Sequence, residues 1–430
     1  MLFIFAAAAA DPPPGSLTPD TVNQWVEIMR AGHPALGAAR ERSRAATLNA
    51  AGIRRIADPK ALVGGAVYSA QGMDPSEEGN LIYGVEQTLP ILGKEAAARR
   101  KAEAQAGVES ARVDVVFQES RRDLTLALFA AGLALRTVQL GQEDTNALRT
   151  SLAAAEARYG SAAGSSVDVL RLQSELARRV TEVRNSEQAL ASAQAGVNRW
   201  LGRAPDSTLP SVSLPDPAAA LSMTPELIRI ALRSEAGLRV LDRERSVAES
   251  SLTASRRQRR PDLGVGIAGR QYSGDGAFRQ GQFTLSVSLP WFNRERYRRD
   301  IQRDEAQIEA VRLDTGSREL ALREEIFRLS NTIGAARRTA LSYREEILPQ
   351  TEAAYSAALN AWMSGRGMLT DVLDTRRARL LARLEEARAI AEQWSALGEL
   401  VLSCGLEDLD SLFQIEATSA DTPSLPAPRG

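Results

Sequence analysis

The feature that most constrains this chain is that it is written twice. Residues 85–94 read VEQTLPILGK and residues 285–294 read LSVSLPWFNR. Each alternating run ends in Leu-Pro, then two apolar residues, a turn residue (Gly93, Asn293) and a base (Lys94, Arg294). Each then opens into a long charged, Ala-rich stretch. The offset recurs elsewhere. Arg40–Ser43 matches Arg243–Ser246, Pro59 matches Pro261, and Tyr159–Leu170 matches Trp362–Leu373, with Asp168 and Asp371 each nine residues after the aromatic. An internal repeat decides architecture before any local detail. The division is therefore a first repeat over 17–201, a Pro/Ser-rich linker over 202–223 and a second repeat over 224–406. A signal-like or disordered N-terminus (1–16) precedes them and a disordered tail (407–430) follows.

Each repeat has one order: a helix pair (about 18–57 and 224–259), two strands, a very long helix, a Gly/Ser turn and a second long helix. The long helices run from about Lys94 to Ala157 and from about Arg294 to Ala361, on the order of 100 Å each at 1.5 Å per residue. A helix that long must lie along partners in a bundle or coiled coil. In the second, Ile301, Ile308, Val311, Leu320, Ile326, Leu329 and Ile333 mark the apolar seam. The Arg/Glu-rich faces read as solvated surface. The fold class is mainly α with a small β part.

The strands alternate at period two. Phe283, Leu285, Val287 and Leu289 oppose Thr284, Ser286 and Ser288. Leu81, Tyr83, Val85 and Leu89 form a second row, and Leu263, Val265 and Ile267 a third, while the first strand, residues 61–69, is ambiguous. Strands of about ten residues suit an outer membrane. Four cannot close a barrel, so copies of the chain would have to share one. A soluble sheet capping a helical rod is the alternative. The nearest approach to a spanning helix, Leu124–Leu135, is short and flanked by charge, and reads as a buried section of a bundle.

Composition closes other routes. With 53 basic and 54 acidic residues there is no basic field for nucleic acid. One Cys (Cys404) and one His (His33) exclude a disulfide framework and a dense Cys/His metal centre. No catalytic constellation, metal site or cofactor site emerges, so an enzyme is not expected. The N-terminal run MLFIFAAAAADPPPG resembles a secretory signal without its basic start.

The doubled order, the two strand-to-helix junctions and the two tips around Tyr159–Asp168 and Trp362–Asp374 resemble the TolC family of outer-membrane efflux channels, over about Leu17 to Leu406. The LPWFNR wording is most like its CzcC-type heavy-metal and cation branch. The resemblance implies a homotrimer whose twelve strands form one barrel in outer-membrane lipid. Long helices would continue it as a tunnel across the periplasm, and the tips would meet a periplasmic adaptor and an inner-membrane pump of the resistance-nodulation-division type. The chain would then be a passive exit duct for metal cations or small molecules. A protein (type I) secretion channel and a periplasmic coiled-coil adaptor are the competing functions.

Asp371 and Asp374, three apart on a helix, share a face. By resemblance they line the periplasmic constriction, while Trp362, Arg366 and Asp168 hold the tips closed. Tyr159, Ser161, Gly164, Ser364, Gly365 and Gly367 form the adaptor-docking tips. The simpler alternative for Asp168 and Asp371 is helix capping. The first tip departs from the family pattern, with Ala162 where a Gly is expected three residues after Tyr159 and Gly164 displaced.

Overall fold

The computed structural model describes residues 15–53, 56–66, 80–161, 164–221, 224–272 and 278–420. Most of the N-terminal segment, Ala162, the centres of both strand-linking loops and residues 421–430 lie outside them.

The elements in chain order are β1 (Gly15–Ser16), α1 (Pro19–Gly32), α2 (Pro34–Gly52), β2 (Lys60–Ala66), β3 (Asn80–Leu89), α3 (Lys94–Gly160) and α4 (Ser166–Trp200). They continue as β4 (Val212–Ser213), α5 (Thr224–Ser234), α6 (Ala236–Gln258), β5 (Leu263–Tyr272), β6 (Phe278–Val287) and α7 (Arg294–Ser342). A π-turn (Tyr343–Ile347) leads to α8 (Leu348–Met363), followed by α9 (Leu369–Cys404) and α10 (Leu409–Ala420). The repeat order expected from sequence is thus present, but it does not define the compact units. One unit gathers residues 38–113 and 237–318, and the other gathers 15–37, 114–236 and 319–420, so each draws on both repeats.

The first of these units holds a four-stranded antiparallel sheet of order β2-β3-β5-β6. Directly paired residues share a face. The register Val63↔Tyr83, Val85↔Ile267 and Ile267↔Phe283 therefore joins the apolar rows into one continuous surface. That surface faces outward: Val63 is 80% exposed and Phe283 69%. The opposite face is polar and tight. Ser286 Oγ donates to Glu86 Oε1 at 2.7 Å. Gly84 lies so close to β5 that a Cβ there would come within 2.8 Å of Ala268 Cβ.

The two repeated junctions differ in detail. After β3 the chain turns through Gly93 at φ 73, and Lys94 then pairs with Asp262 at 2.8 Å. After β6, Pro290–Asn293 forms one 3-10 turn and α7 starts at Arg294. Proline stops the ladder in both because it has no N–H to donate.

In the other unit the core surrounds Trp25, Leu124, Leu128 and Phe129, all fully buried, with Trp394 stacked on Phe129 at 5.8 Å. An 18-residue window within α3 has mean hydropathy 1.5, enough by composition for a membrane helix, and half of it is buried inside the fold. This agrees with the reading of Leu124–Leu135 as core.

Several expectations change here. Gly15 and Ser16 are not disordered but form β1, which pairs in parallel with β4 inside the linker. The linker is a strap bound to the helices: Gln393 bonds both the N–H and the C=O of Ala218 at 3.0 Å, and Trp394 Nε1 donates to Asp216 O at 2.9 Å. The tail beyond Leu406 holds α10, with Leu409 and Leu412 buried. Buried Arg121 secures that end, donating to the carbonyls of Leu406, at 2.8 Å, and Glu407. Gly405 ends α9 in the left-handed conformation at φ 63. Cys404 beside it is buried, and burial, with Glu325 adding to it, pushes its thiol up to about 12. His33 stacks on Trp200 at 5.1 Å, a structural contact.

Along α7 the buried seam is Val311, Leu322, Ile326, Leu329 and Ile333, whereas Leu320 is exposed. Leu313, Leu320 and Phe327 instead form a second apolar row at seven-residue spacing. At about 100° per residue, this row lies nearly opposite the first. One helix thus carries two apolar rows, and among the described residues only the first is buried.

Candidate gate at the helical tips

The two tips share the placement of one glycine, with residues 162–163 of the first outside the described residues. At the second, α8 ends at Met363, Gly365 takes φ 72, and the N–H groups of Arg366 and Gly367 both return to Ala361 O, at 2.8 and 3.0 Å. A Cβ on Gly367 would come within 3.0 Å of Ala361 Cβ, and one on Gly164 within 2.9 Å of Tyr159 N. Each of these glycines stands five residues after its aromatic. Gly164 is therefore the counterpart of Gly367 and not a displaced Gly365. Counting from the aromatic in both repeats would have found this.

The aromatics themselves are unequal. Tyr159 is exposed, while Trp362 is buried in a cluster with Leu148, Leu172, Tyr355, Leu369 and Val372. The indole Nε1–H of Trp362 donates to Asp168 Oδ2 at 3.4 Å. Ser165 caps α4 by accepting from Val167 N at 3.2 Å, and Asp168 stands in the first turn of that helix. The structure thus brings Trp362 and Asp168 together within one chain. It does not bring Arg366 to them: that side chain is exposed, and its Nε donates to Ser364 Oγ at 3.2 Å. Instead Arg158, which the sequence reading missed, lies over the Trp362 ring at 5.3 Å and donates to the Trp362 carbonyl.

Asp371 and Asp374 are both exposed on α9, as a shared face requires, but their surroundings differ. Asp371 sits in the first turn of α9, whose cap residue, Met368, offers no side-chain bond. Asp374, 75% exposed, lies 3.7 Å from Arg377. Arg377 also pairs with Glu175 on α4, and Glu175 Oε2 lies 3.2 Å from Arg376. Arg376 pairs with Asp144 of α3, whose Oδ2 is 3.0 Å from Arg179. Asp144 and Arg376 are both buried. The expectation that charged faces are solvent fails at this point. Three helices approach closely enough to exclude water, and opposite charges meet where it is excluded. Burial raises the Glu175 pKa, but bonds from Arg178 and Arg377 outweigh that and hold it below its ordinary value.

Among the described residues of a single chain there is no ring of like charge at the tips. What the tip offers is a carboxylate, Asp371, with no partner among the described residues, beside a firmly held hairpin turn. The exposed tip residues Tyr159, Ser161, Ser364 and Gly365 are joined on the surface by Val167, Leu170, Met363 and Met368.

Residues 227–406 match the family model described as Outer membrane efflux protein. The family match over 227–406 and the likenesses to curated and solved outer-membrane channels support a TolC-family efflux protein. It is 23% identical over 304 residues to the cobalt-zinc-cadmium resistance protein CzcC of Cupriavidus metallidurans, covering 70% of each chain. In fold it is similar to the outer-membrane channel OprN, with TM-score 0.76, 19% identity and 90% of each chain covered. It is also similar to VceC of Vibrio cholerae, with TM-score 0.74, 15% identity, and 90% and 96% covered. TolC-family proteins are transport channels of the outer membrane with a periplasmic extension, not enzymes. That places this chain among efflux exit ducts.

Proposed function

We propose that three copies of this TolC-family chain form one exit duct, with a twelve-stranded barrel in outer-membrane lipid and a helical tunnel below it, serving a tripartite efflux system. The observation that carries this is the four-stranded sheet, with an exposed apolar face, a polar opposite face and unpaired outer edges on β2 and β6. Lipid accepts such a face but not such edges, and copies joined edge to edge remove them. The unfilled row Leu313, Leu320 and Phe327 fits the same arrangement, since a helix in a closed ring has a neighbour on each side. The duct conducts metal cations or small molecules. The likeness to a cobalt-zinc-cadmium resistance protein favours cations. Its partners are a periplasmic adaptor, docking on the apolar tips, and an inner-membrane pump of the resistance-nodulation-division type.

Arginine at Phe283, midway along β6 on the apolar face, should cost about 2–4 kcal/mol near the membrane midplane. Native mass spectrometry in mild detergent should then show loss of the trimer. Arginine at Ser286, on the polar face, should leave the trimer intact. Equal assembly of both variants would show that the membrane register is wrong.

Gating falls to the second tip. Threefold symmetry turns Asp371 and Asp374 into rings of carboxylates, which favour cations. Because Arg377 stands beside Asp374, Asp371 supplies most of the field. In planar bilayers, Asp371→Ala should lose more cation preference and multivalent-cation block than Asp374→Ala, and the double variant should lose both properties. Arg366→Ser should open more often with its preference kept. Wild-type selectivity in the double variant would reduce both residues to helix surface.

A further inference from the structure

The helix leading into the second tip is not continuous. The sequence suggests one helix from Arg294 to Ala361, yet Tyr343–Ile347 forms a π-turn in which Leu348 N–H donates to Tyr343 O. The cause is Pro349, which has no N–H and whose ring would strike the carbonyl four residues earlier in an α-helix. One extra residue in the turn moves that carbonyl aside. Such turns are short and often lie where a helix must yield. Packing there is thin: between buried Ala340 and buried Tyr355, no residue from 341 to 354 is buried.

One side chain ties this turn to the rest of its unit. Arg344 Nε donates to Glu386 Oε1 of α9 at 2.8 Å, and its terminal nitrogen donates to Asp216 Oδ1 of the strap, also at 2.8 Å. The strap is anchored independently of Arg344. Gln393, fully buried, holds Ala218, and Arg337 Nε donates to Ala218 O at 3.1 Å. Beside the turn lies a cavity of about 310 Å³ lined by Gly132, Arg136, Pro215, Asp216, Arg344 and Glu386. A side chain or a helix turn therefore has room to move.

We propose that the π-turn over Tyr343–Ile347 is the flexing point at which α8 shifts along α9, and that Arg344, bound to the strap at Asp216 and to α9 at Glu386, is the latch that holds it. The reading that this shift opens the duct rests on the proposed second-tip gate; the flexing itself does not. The tip lies some eighteen residues on, about 27 Å of helix, so a tilt of about 10° displaces it by about 5 Å. The latch is light. The pair with Asp216, whose side chain is 88% exposed, is screened by solvent and weak, while the pair with the mostly buried Glu386 is the firmer half. A light latch can be released by a partner without unfolding anything.

Hydrogen exchange and spin-label distances on the full-length protein test this. Amides of 343–352 should exchange at least tenfold faster than those of 325–336 on the same helix. Arg344→Ala should accelerate them about fivefold more and broaden the distance between labels at Ala335 and Ala354, leaving 325–336 unchanged. Gln393→Leu, which frees the strap from a different point, should do the same. Uniform protection along the helix, or exchange at 343–352 unmoved by both variants, would overturn the proposal. If flexing increases while bilayer conductance stays at its wild-type level, the latch stands and the second-tip gate falls.

Discussion

An alanine at Asp144 is expected to destabilise the protein by about 3–5 kcal/mol, the usual cost of removing one partner from a buried ion pair. The change leaves Arg376 and Arg179 facing each other where water is excluded, with Glu175 beside Arg376 and Glu182 beside Arg179 as the remaining nearby anions. A double Asp144→Leu, Arg376→Met variant should recover much of that loss, because it removes the uncompensated charge along with the pair. Thermal unfolding midpoints of the single and double variants in one detergent check this. A single variant as stable as wild type would mean that the cluster is wet. The same cluster gives an acid limit. Glu175 has a folded-state pKa below its ordinary 4.5. Its contribution is therefore complete above the unfolded value and is lost as pH falls through the lower folded one. The Asp144→Ala variant should meet this limit with less stability in reserve.

Gly405→Ala should cost about 2–5 kcal/mol. About 1–2 of this comes from placing a side chain in the left-handed conformation, and the rest from overpacking. The added methyl would overlap the Ser234 carbonyl and the Glu235 nitrogen, both backbone atoms that cannot swing away. Gly196→Ala is the control. That glycine lies within α4 with nothing within 4 Å of its would-be Cβ, so alanine should be neutral or stabilising. If Gly405→Ala melts with the control, the end of α9 can yield in a way the packing at Ser234 does not suggest.

Periodicity made the sheet and the long helices legible. The rows Leu81–Leu89, Leu263–Ile267 and Phe283–Leu289 share one face in the structure because a period of two leaves no other choice once the strands pair. What periodicity could not supply was the partner of each charge. Asp144 and Arg376 are 232 residues apart and look like any other polar positions on Ala-rich helices. Asp168 read as a first-turn carboxylate, which it is, but the indole of Trp362 that it accepts from could not be read from spacing. Leu320 was assigned to the wrong seam because three- and four-residue steps also pass through the opposite row. Pro349 was in plain view, but a proline inside a long helical pattern leaves its own remedy open, and here the remedy is a π-turn. The strap escaped notice because a Pro/Ser-rich composition states only that no helix forms there.

Cys404 has a practical consequence. A thiol whose pKa lies near 12 is almost wholly protonated at neutral pH, and only the thiolate attacks disulfides and alkylating reagents. A chain that must pass through an oxidising compartment therefore carries no sulfur able to form a mixed disulfide once folded. Probes attached to cysteines introduced at Ser364, Ala335 or Ala354 should report on those sites alone in the otherwise unaltered protein, without a cysteine-free background.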